Sequence, residues 1–439
     1  MNRSIRGLLV CTALSLLMCS GCNFELLPAR EKVAEEKITL TFRHFWVGKH
    51  DEPVERIIAD TIKKFEEKHP HIKIDFEGLD QTIHREQKLK SEMVTGRPPD
   101  IFSLFGGAEI EPYVQTGRLL DLTGFLKDED LYGRFKDLSL WTFDQKVYGI
   151  PFEGNAEPLF YNKELFTKLR ISPPQTISDL MSIIPVLTHH GIIPFALGNK
   201  QEWPAAIYVH YFMDRQTGSG KFTQIINGRA SFTNPEYLLA MKNFDRLVKM
   251  GAFPHNANQL SSEEAVELFT QGKAAMYLSG NWDITLFQKA APGFSTQIGV
   301  LSFPTLQEGD EGSLAGGYTV GLGLSSALTG SKREAALEFI AEIYKPEVRA
   351  KITEEAYRIP VMSGEVQKVE KDSVFNQVIA LTEASKTKFV PYDNMLPPEI
   401  KQVFLHSIAG IVDQQVTPEE SLERLEQSLN NYRKLIQNR

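Results

Sequence analysis

The fold of this chain is decided near its start, in the stretch Ile38-Thr-Leu-Thr-Phe-Arg-His-Phe-Trp46. Apolar and polar residues alternate along it, and β-branched and aromatic residues are frequent, which predicts a first strand. The next segment, Val54 to Lys68, carries apolar residues at helical spacing and predicts a helix. His69-Pro70 ends that helix, because Pro disfavours helix in the residue before it. His71 to Phe76 then predicts a second strand.

The same order of elements continues downstream. A polar helix is predicted from Gln81 to Val94, and the turn residues Thr95-Gly-Arg-Pro-Pro99 end it. Asp100 to Phe105 predicts a third strand that leads into Gly106-Gly107. Strands that alternate with helices predict an α/β lobe with a mainly parallel sheet.

A second set of elements follows from about Trp141. Its predicted members are a hairpin at Val147–Phe152, helices at Ile177–Leu187, Pro235–Met250 and Ser262–Thr270, and strands at Leu159–Tyr161, Ala274–Leu278, Gln297–Leu301 and Tyr318–Leu324. A final helix carries an apolar stripe: Leu422, Leu425, Leu429, Tyr432 and Leu435. We therefore predict two α/β lobes, each with a mainly parallel sheet flanked by helices. Ligands of such folds bind in the cleft between lobes.

Composition narrows the class of protein. The 439 residues are 42% hydrophobic and 24% charged, which is ordinary for a soluble globular protein. The net charge of −8 argues against nucleic acid as a partner, because phosphate binding calls for clustered Lys and Arg. All three cysteines, Cys11, Cys19 and Cys22, lie in the first 22 residues. The body of the chain therefore has no disulfide framework and no Cys-based zinc site or nucleophile.

The first 22 residues resemble a lipoprotein signal peptide. Arg3 and Arg6 precede an apolar run, Gly7 to Met18, that is too short to span a bilayer. The run ends at Cys19-Ser20-Gly21-Cys22, which resembles a lipobox with Cys19 where Leu is usual. We predict lipidation of Cys22, a flexible tether over 23–37, and a place on the extracytoplasmic face of the cell membrane. Cleavage as an ordinary secretory signal remains open.

Motifs for enzyme chemistry are largely missing. The sequence has no phosphate loop, dinucleotide fingerprint, nucleophile elbow or His-Glu-x-x-His. The pairs His69/His71 and His189/His190 lie at corners where neighbouring side chains diverge, so we predict no metal and no cofactor. Glu153, Glu157 and Asp283 could act as paired carboxylates of a glycoside hydrolase, or could accept hydroxyl hydrogen bonds without catalysis.

Aromatic residues point to a carbohydrate ligand. A pyranose ring has an apolar face of C–H groups that stacks on aromatic rings, while its hydroxyls need polar partners. Trp46, Trp203 and Trp282 lie in loop contexts beside Gly, Asn, Asp or Glu, and we predict that they form a stacking platform. Trp141 is predicted to be structural.

Several segments, taken in order, resemble the maltose-type (family 1) extracellular solute-binding proteins of bacterial ABC importers. They include Lys64-Phe-Glu-Glu-Lys-His-Pro-His-Ile-Lys-Ile74, Gly96-Arg-Pro-Pro-Asp-Ile-Phe102, Gln115-Thr-Gly-Arg-Leu-Leu-Asp-Leu122, Tyr148-Gly-Ile-Pro-Phe152, Leu159-Phe-Tyr-Asn-Lys-Glu-Leu-Phe166, Phe269-Thr-Gln-Gly-Lys-Ala-Ala-Met276, Gly280-Asn-Trp282, Gly316-Gly317 and Arg358-Ile-Pro360. A further segment, Pro174-Gln-Thr-Ile-Ser-Asp-Leu180, resembles a helix start of the family, with Ile177 where the family has Trp. The likeness covers nearly all of the chain after the leader.

The resemblance implies the two-lobe periplasmic-binding-protein fold (type II) with hinge strands. The expected lobes are 38–150 with 315–360 and 151–314 with 361–439, and the crossings are expected near Ile150, Gly312 and Pro360. It also implies closure around a sugar by hinge motion, in a monomer that delivers the ligand to ABC permease subunits.

The resemblance also implies a ligand-binding set on the loops singled out above. Its members are Trp46, Lys49, His50, Ser103, Gly106, Glu153, Asn155, Tyr161, Trp203, Trp282, Asp283, Gly316, Gly317, Tyr318, Arg358 and Asp393. The predicted ligand is a neutral mono- or oligosaccharide. Another solute (glycerol phosphate, a polyamine or iron), a cell-surface glycoside hydrolase or lyase, and a sensory role remain alternatives, and Lys49 and Arg358 keep an anionic ligand open.

Overall fold

A computed structural model describes residues 36–365, 368–369 and 373–437 of the chain. The predicted signal peptide, Cys22 and the predicted tether except for its last two residues lie outside these ranges. From Ile38 onward the chain packs as one unit. Among the described residues, no helix combines the length and apolar character that crossing a bilayer requires.

The strands, in chain order, are β1 Ile38–His44, β2 Ile72–Gly78, β3 Ile101–Phe105, β4 Thr142–Phe143, β5 Lys146–Val147, β6 Ile150–Ala156, β7 Leu159–Asn162, β8 Ile193–Ala196, β9 Ala274–Leu278, β10 Ile298–Leu301, β11 Leu314–Leu324 and β12 Lys388–Phe389.

The α-helices are α1 Glu52–Lys68, α2 Lys90–Thr95, α3 Glu111–Gln115, α4 Thr123–Asp128, α5 Lys163–Leu169, α6 Ile177–His189, α7 Trp203–Thr217, α8 Ser219–Ile226, α9 Pro235–Lys249, α10 Ser262–Thr270, α11 Ile284–Ala290, α12 Gly330–Ile343, α13 Pro346–Ala356, α14 Ser373–Ala384, α15 Tyr392–Met395, α16 Pro398–Val412 and α17 Pro418–Gln437. A π-helix, Ile83–Leu89, precedes α2.

The first sheet has the order β12-β11-β3-β1-β2, and β6 pairs with β11 beside this path. β1 runs parallel to both β2 and β3, whereas β11 is antiparallel to β3. Leu40 and Phe42 of β1 are fully buried against Phe65 of α1, Phe339 of α12 and Ile352 of α13, in what we call the first core. The predicted α/β lobe with parallel strands after the leader is confirmed.

The second sheet has the order β10-β7-β9-β8. Only β8 and β9 are parallel; β7 is antiparallel to both β9 and β10. The prediction of a mainly parallel sheet is therefore wrong for this lobe. The cause is that helices cover both faces of the sheet, which makes its strands apolar throughout, and an apolar run specifies a strand without specifying its direction.

Successive residues of these strands point into two different cores. Leu159, Phe195 and Met276 enter the second core, which α6, α7, α9, α16 and α17 complete. Phe160 and Tyr277 enter the third core with residues of α10, α11 and α14. The two-residue period of a strand accounts for this division.

Two long strands connect the first core with the others. β6 starts with Ile150 in the first core and ends with Ala156 in the third. β11 begins with Leu314 in the third core and continues to Leu322 in the first, antiparallel to β6. A bridge from Gly154 to Ile359 adds a third segment beside them. The lobe boundaries given above stay a prediction.

Two helical predictions need correction. The predicted helix over 81–94 is interrupted by the π-helix, a wider turn that hydrophobic spacing does not reveal. In α17, Leu422, Leu425 and Leu429 are buried as predicted, but Leu435 is 66% exposed. Leu435 lies in the last turn of the helix.

Candidate ligand-binding cavity

A cavity of about 360 Å³ lies where elements of the first core face elements of the second and third. Its first wall contains Phe45, which follows β1, and Phe105, which ends β3. Both are at the carboxyl ends of parallel strands, where ligands of α/β sheets usually bind. The opposite wall contains Trp203 at the start of α7 and Trp282 in the turn after β9.

Each wall carries a pair of aromatic rings. The Trp203 and Trp282 rings meet edge to face, with centroids 5.9 Å apart and planes at 64°. The Phe45 and Phe105 rings are stacked, with centroids 5.7 Å apart. Arg85 of the π-helix covers Phe105, with its guanidinium carbon 3.7 Å from the ring centre. The Phe45 ring is buried and Arg85 covers that of Phe105, so the aromatic surface open to a ligand is that of Trp203 and Trp282, which are half-buried.

Arg358 is the centre of a buried ion-pair network at one side of the cavity. Its Nε donates to Glu153 Oε2 at 2.6 Å, and its Nη2 donates to Asp51 Oδ1 at 2.6 Å. Burial alone would raise the pKa of Asp51, but the charges of His50 and Arg358 lower it. Arg358 therefore ties the crossing strand β6 to the loop before α1.

His50 extends this network across the cavity. Its Nε2 lies 3.2 Å from Asp51 Oδ2, and its Nδ1 lies 4.0 Å from Asp283 Oδ1. Burial opposes the charged imidazolium, but the two carboxylates raise the pKa of His50 to about 9. Asp283 Oδ2 in turn accepts hydrogen bonds from Tyr277 and Ser279, at 2.7 and 2.6 Å.

Further hydrogen bonds join the facing elements outside the cavity. Thr285 Oγ1 donates to the backbone oxygen of His50 at 3.1 Å, and Lys289 Nζ donates to that of Lys49 at 3.0 Å. Lys90 Nζ of α2 donates to Glu399 Oε1 of α16 at 2.7 Å. The loop after β1 is thus bonded to α11, and helix α2 is bonded to α16, on the opposite side of the cavity.

Buried polar atoms without a partner collect at another part of the cavity wall. Glu157 Oε2, Asn155 Oδ1 and both ring nitrogens of His210 have no hydrogen-bond partner. His210 Nε2 is 3.8 Å from Asp393 Oδ1. Burial lowers the pKa of His210 to about 4, and burial together with the charge of Asp393 raises the pKa of Glu157 well above its ordinary range. A polar ligand would satisfy these atoms.

Part of the predicted ligand set lines the cavity. These residues are His50, Glu153, Asn155, Trp203, Trp282, Arg358 and Asp393. The other predicted residues do not line it: Trp46, Lys49, Ser103, Gly106, Tyr161, Asp283, Gly316, Gly317 and Tyr318.

Trp46 is the clearest departure from prediction. It is fully buried in the first core, and its ring packs 4.7 Å from that of Phe152 between centroids. Trp46 lies in the turn after β1, and its ring packs on Phe42 of the core face, with centroids 6.1 Å apart. Its neighbour Phe45 also belongs to the first core but lines the cavity.

Some of the remaining predicted residues hold the wall in place. Ser103 Oγ accepts a hydrogen bond from the backbone N–H of Phe45 at 3.1 Å. Gly106 lets the chain approach Leu140 closely, because an added Cβ would lie 2.9 Å from its side chain. The side chain of Lys49 is exposed, and Tyr161 packs on Phe166.

Several lining residues were not in the predicted set. Asp51, Arg85, His210 and Lys401 are all buried and charged or titratable. Glu157 is buried there too, and the sequence indicates it as a possible acceptor of hydroxyl hydrogen bonds. His210 and Lys401 interrupt apolar faces of α7 and α16, which is a signal that the sequence offers. Among the described residues, no group of three or more His, Cys, Asp or Glu side chains is placed to hold a metal ion.

The family model of the bacterial extracellular solute-binding proteins matches residues 49–350. This match covers most of the chain. The chain belongs to the bacterial extracellular solute-binding protein family. Members of this family are binding proteins, and their place is extracytoplasmic.

Curated relatives of this solute-binding protein include named sugar-binding proteins. The melibiose/raffinose/stachyose-binding protein MelE of Bacillus subtilis is 25% identical over 362 residues, 79% of each chain. The multiple sugar-binding protein of Streptococcus mutans is 22% identical over 380 residues, 83% of each chain.

Solved structures show the same two-lobe α/β fold. A chitin oligosaccharide binding protein is 28% identical with a TM-score of 0.86, and the alignment covers 90% of this chain and 98% of the other. A maltose-bound MalE3 of T. maritima is 18% identical with a TM-score of 0.75, covering 90% and 100%. The second likeness concerns the fold alone.

Proposed function

We propose that this solute-binding protein captures a carbohydrate, and specifically a short oligosaccharide, in the cavity and delivers it to the permease of an ABC importer. The observation that carries the proposal is the pairing of two surfaces in one cavity. Trp203 and Trp282 offer aromatic faces, while Glu157, Asn155 and His210 offer buried polar atoms without partners. A sugar has the matching apolar face and hydroxyl edge.

The size of the cavity agrees with a small ligand. Its volume of about 360 Å³ lies at the lower end of the roughly 300–1,000 Å³ that ligand pockets occupy. The names of the relatives support an oligosaccharide, since chitin oligosaccharide, raffinose and stachyose are all chains of sugar units.

An anionic ligand is less well matched. Arg358, one of the two cations that keep this alternative open in the sequence, already bonds to Glu153 and Asp51. The other, Lys49, does not line the cavity. Arg85 pairs with Glu109, with 2.9 Å between its Nε and Oε2. We also propose that the ligand is bound without hydrolysis. Of the three candidate carboxylates, Glu153 is bonded to Arg358 and Asp283 to Tyr277 and Ser279. Only Glu157 is left, and glycoside hydrolysis needs two.

Anchoring is proposed from the sequence of the leader. Lipidation of Cys22 would tether the mature chain to the extracytoplasmic face of the membrane, with the segment up to Lys37 as the tether. A single chain holds every residue that lines the cavity, so we propose that the protein acts as a monomer.

Calorimetry on the purified chain tests the proposed function. The panel contains cellobiose, maltose, raffinose, xylobiose and N,N′-diacetylchitobiose, with spermidine and glycerol 3-phosphate as non-sugar competitors. At least one sugar should bind, and Trp282→Ala should weaken that binding while Tyr132→Ala, an exposed tyrosine outside the cavity, should not. Binding of a competitor and of no sugar would overturn the proposal.

A further inference from the structure

Glu157 is a buried acid that has no cation to balance it. It follows β6 directly, is 6% exposed, and lines the cavity. Its backbone is fixed on both sides, since its N–H donates to Ala315 O at 2.9 Å and its carbonyl accepts from the hydroxyl of Tyr211 at 2.6 Å. The carboxyl group is therefore held at one place in the wall, and its Oε2 has no partner.

The groups around Glu157 do not favour a negative charge. Helix α7 contributes His210, which burial keeps neutral, and Tyr211, whose phenol is buried. Helix α15 contributes Asp393, which adds a like charge. Farther along α7, Arg215 is paired with Asp214. The positive charges of Arg85 and Lys401 interact with the negative charge of Asp393.

A buried carboxylate without a paired cation is costly, and such a group takes up a proton instead. The other buried acids of the cavity differ from Glu157 in this respect. Glu153 and Asp51 both accept hydrogen bonds from Arg358. Burial and the charge of Asp393 accordingly raise the pKa of Glu157 well above that of an ordinary glutamate.

We propose that Glu157 meets the ligand as a neutral carboxylic acid, donating a hydrogen bond to a ligand oxygen, and that this proton selects an uncharged ligand. The inference rests on the proposed function, because it assigns a role in that cavity. A protonated acid can donate to a ring, glycosidic, hydroxyl or acetamido oxygen, whereas a carboxylate can only accept. A cationic ligand would instead bind an ionised Glu157 and release its proton.

The protonation state can be measured without any ligand. Protein labelled with ¹³C at the glutamate side-chain carboxyl carbons is compared with Glu157→Gln by NMR. The resonance that the variant lacks should be that of a protonated carboxyl at pH 7, and it should titrate above the other glutamates. If the resonance that Glu157→Gln lacks is instead that of an ionised carboxylate at pH 7, the inference is wrong.

Affinity gives a second, independent test. Glutamine copies the shape and the donor of a protonated glutamic acid, so Glu157→Gln should bind each panel sugar within about threefold of the unaltered protein. The affinity of the unaltered protein should fall by about tenfold per pH unit once the pH passes the pKa of Glu157. The variant should lack this fall and keep only the dependence that His50, whose pKa is about 9, gives to both proteins. Glu164→Gln, an exposed position on α5, is the matched control and should keep the pH dependence.

A loss of a hundredfold or more in Glu157→Gln would mean that the ligand needs a carboxylate there, and the inference would fail while sugar binding stood. If no panel sugar bound the unaltered protein, the proposed function would fail, and the carboxyl resonance would still decide the state of Glu157.

Discussion

Trp203 and Trp282 are half-buried and line the cavity, whereas Trp46 and Trp141 are fully buried. This difference separates a role in binding from a role in packing, because removing a buried ring leaves a void and removing a cavity ring removes ligand contact.

The two roles predict opposite outcomes for two variants of the same type. Trp282→Ala should weaken sugar binding at least tenfold, about 1.4 kcal/mol, with a small change in the free energy of unfolding. Trp141→Ala should lower the free energy of unfolding by roughly 3–5 kcal/mol. Calorimetry and urea titration measure the two quantities, and equal binding by Trp282→Ala and the unaltered protein would contradict the stacking role.

His210 makes stability depend on pH. Burial lowers its pKa to about 4, so the neutral form is favoured in the fold. The stabilisation is fully present above the usual His pKa of about 6.5 and is lost as the pH falls through 4, up to about 3 kcal/mol. His210→Gln should show a smaller loss of unfolding free energy between pH 7 and 4 than the unaltered protein, and an equal loss would contradict this assignment.

Single residues also explain what sequence could predict about the site. His50, Glu153, Trp203, Trp282 and Arg358 all line the cavity, and their contact with a ligand stays a prediction. Trp46 does not line the cavity, because the turn after β1 packs its ring on Phe42 and Phe152 in the first core. Loop position alone therefore predicted an exposure that the packing of this turn prevents.

At the scale of elements, β11 determines how the two sides of the molecule connect. Its register with β6 shifts between Gly317 and Val320, and Gly316 and Gly317 have φ of +149° and +132°. Both angles disfavour residues that carry a Cβ. Only at Gly316 would the added Cβ also meet the backbone oxygen of Asn155, at 2.3 Å.

Matched alanine variants test this account of the crossing. Gly316→Ala should lower the free energy of unfolding by at least about 2 kcal/mol, from strain and overlap together. Gly317→Ala has open space for its Cβ and should cost about 1 kcal/mol, from strain alone. Urea titration compares them, and equal costs would contradict the overlap with β6.

The type of the elements, helix or strand, was predicted better than the direction of the strands or the geometry of the helices. β9 and α10 have the predicted bounds, because strong apolar patterns and a capping box define them. The antiparallel β7 and the π-helix could not be predicted, since neither strand direction nor a wider helical turn changes the apolar pattern that the sequence displays.

At the scale of the whole molecule, we propose that the leader anchors the chain that carries the cavity. Cys22→Ser should abolish incorporation of labelled palmitate in cells and move the protein from the membrane fraction to the released fraction. The expected cause is loss of the thiol that would carry the lipid. Retention in the membrane with unchanged labelling would contradict anchoring through Cys22, and sugar binding by the purified variant should be unaffected.

Native mass spectrometry of the protein purified from cells grown on plant and chitin hydrolysates can detect whether the intact chain captures a sugar. We expect a bound species whose mass fits a short oligosaccharide and which Trp282→Ala loses. A bound amino acid, polyamine or phosphate compound that the variant retains would contradict it.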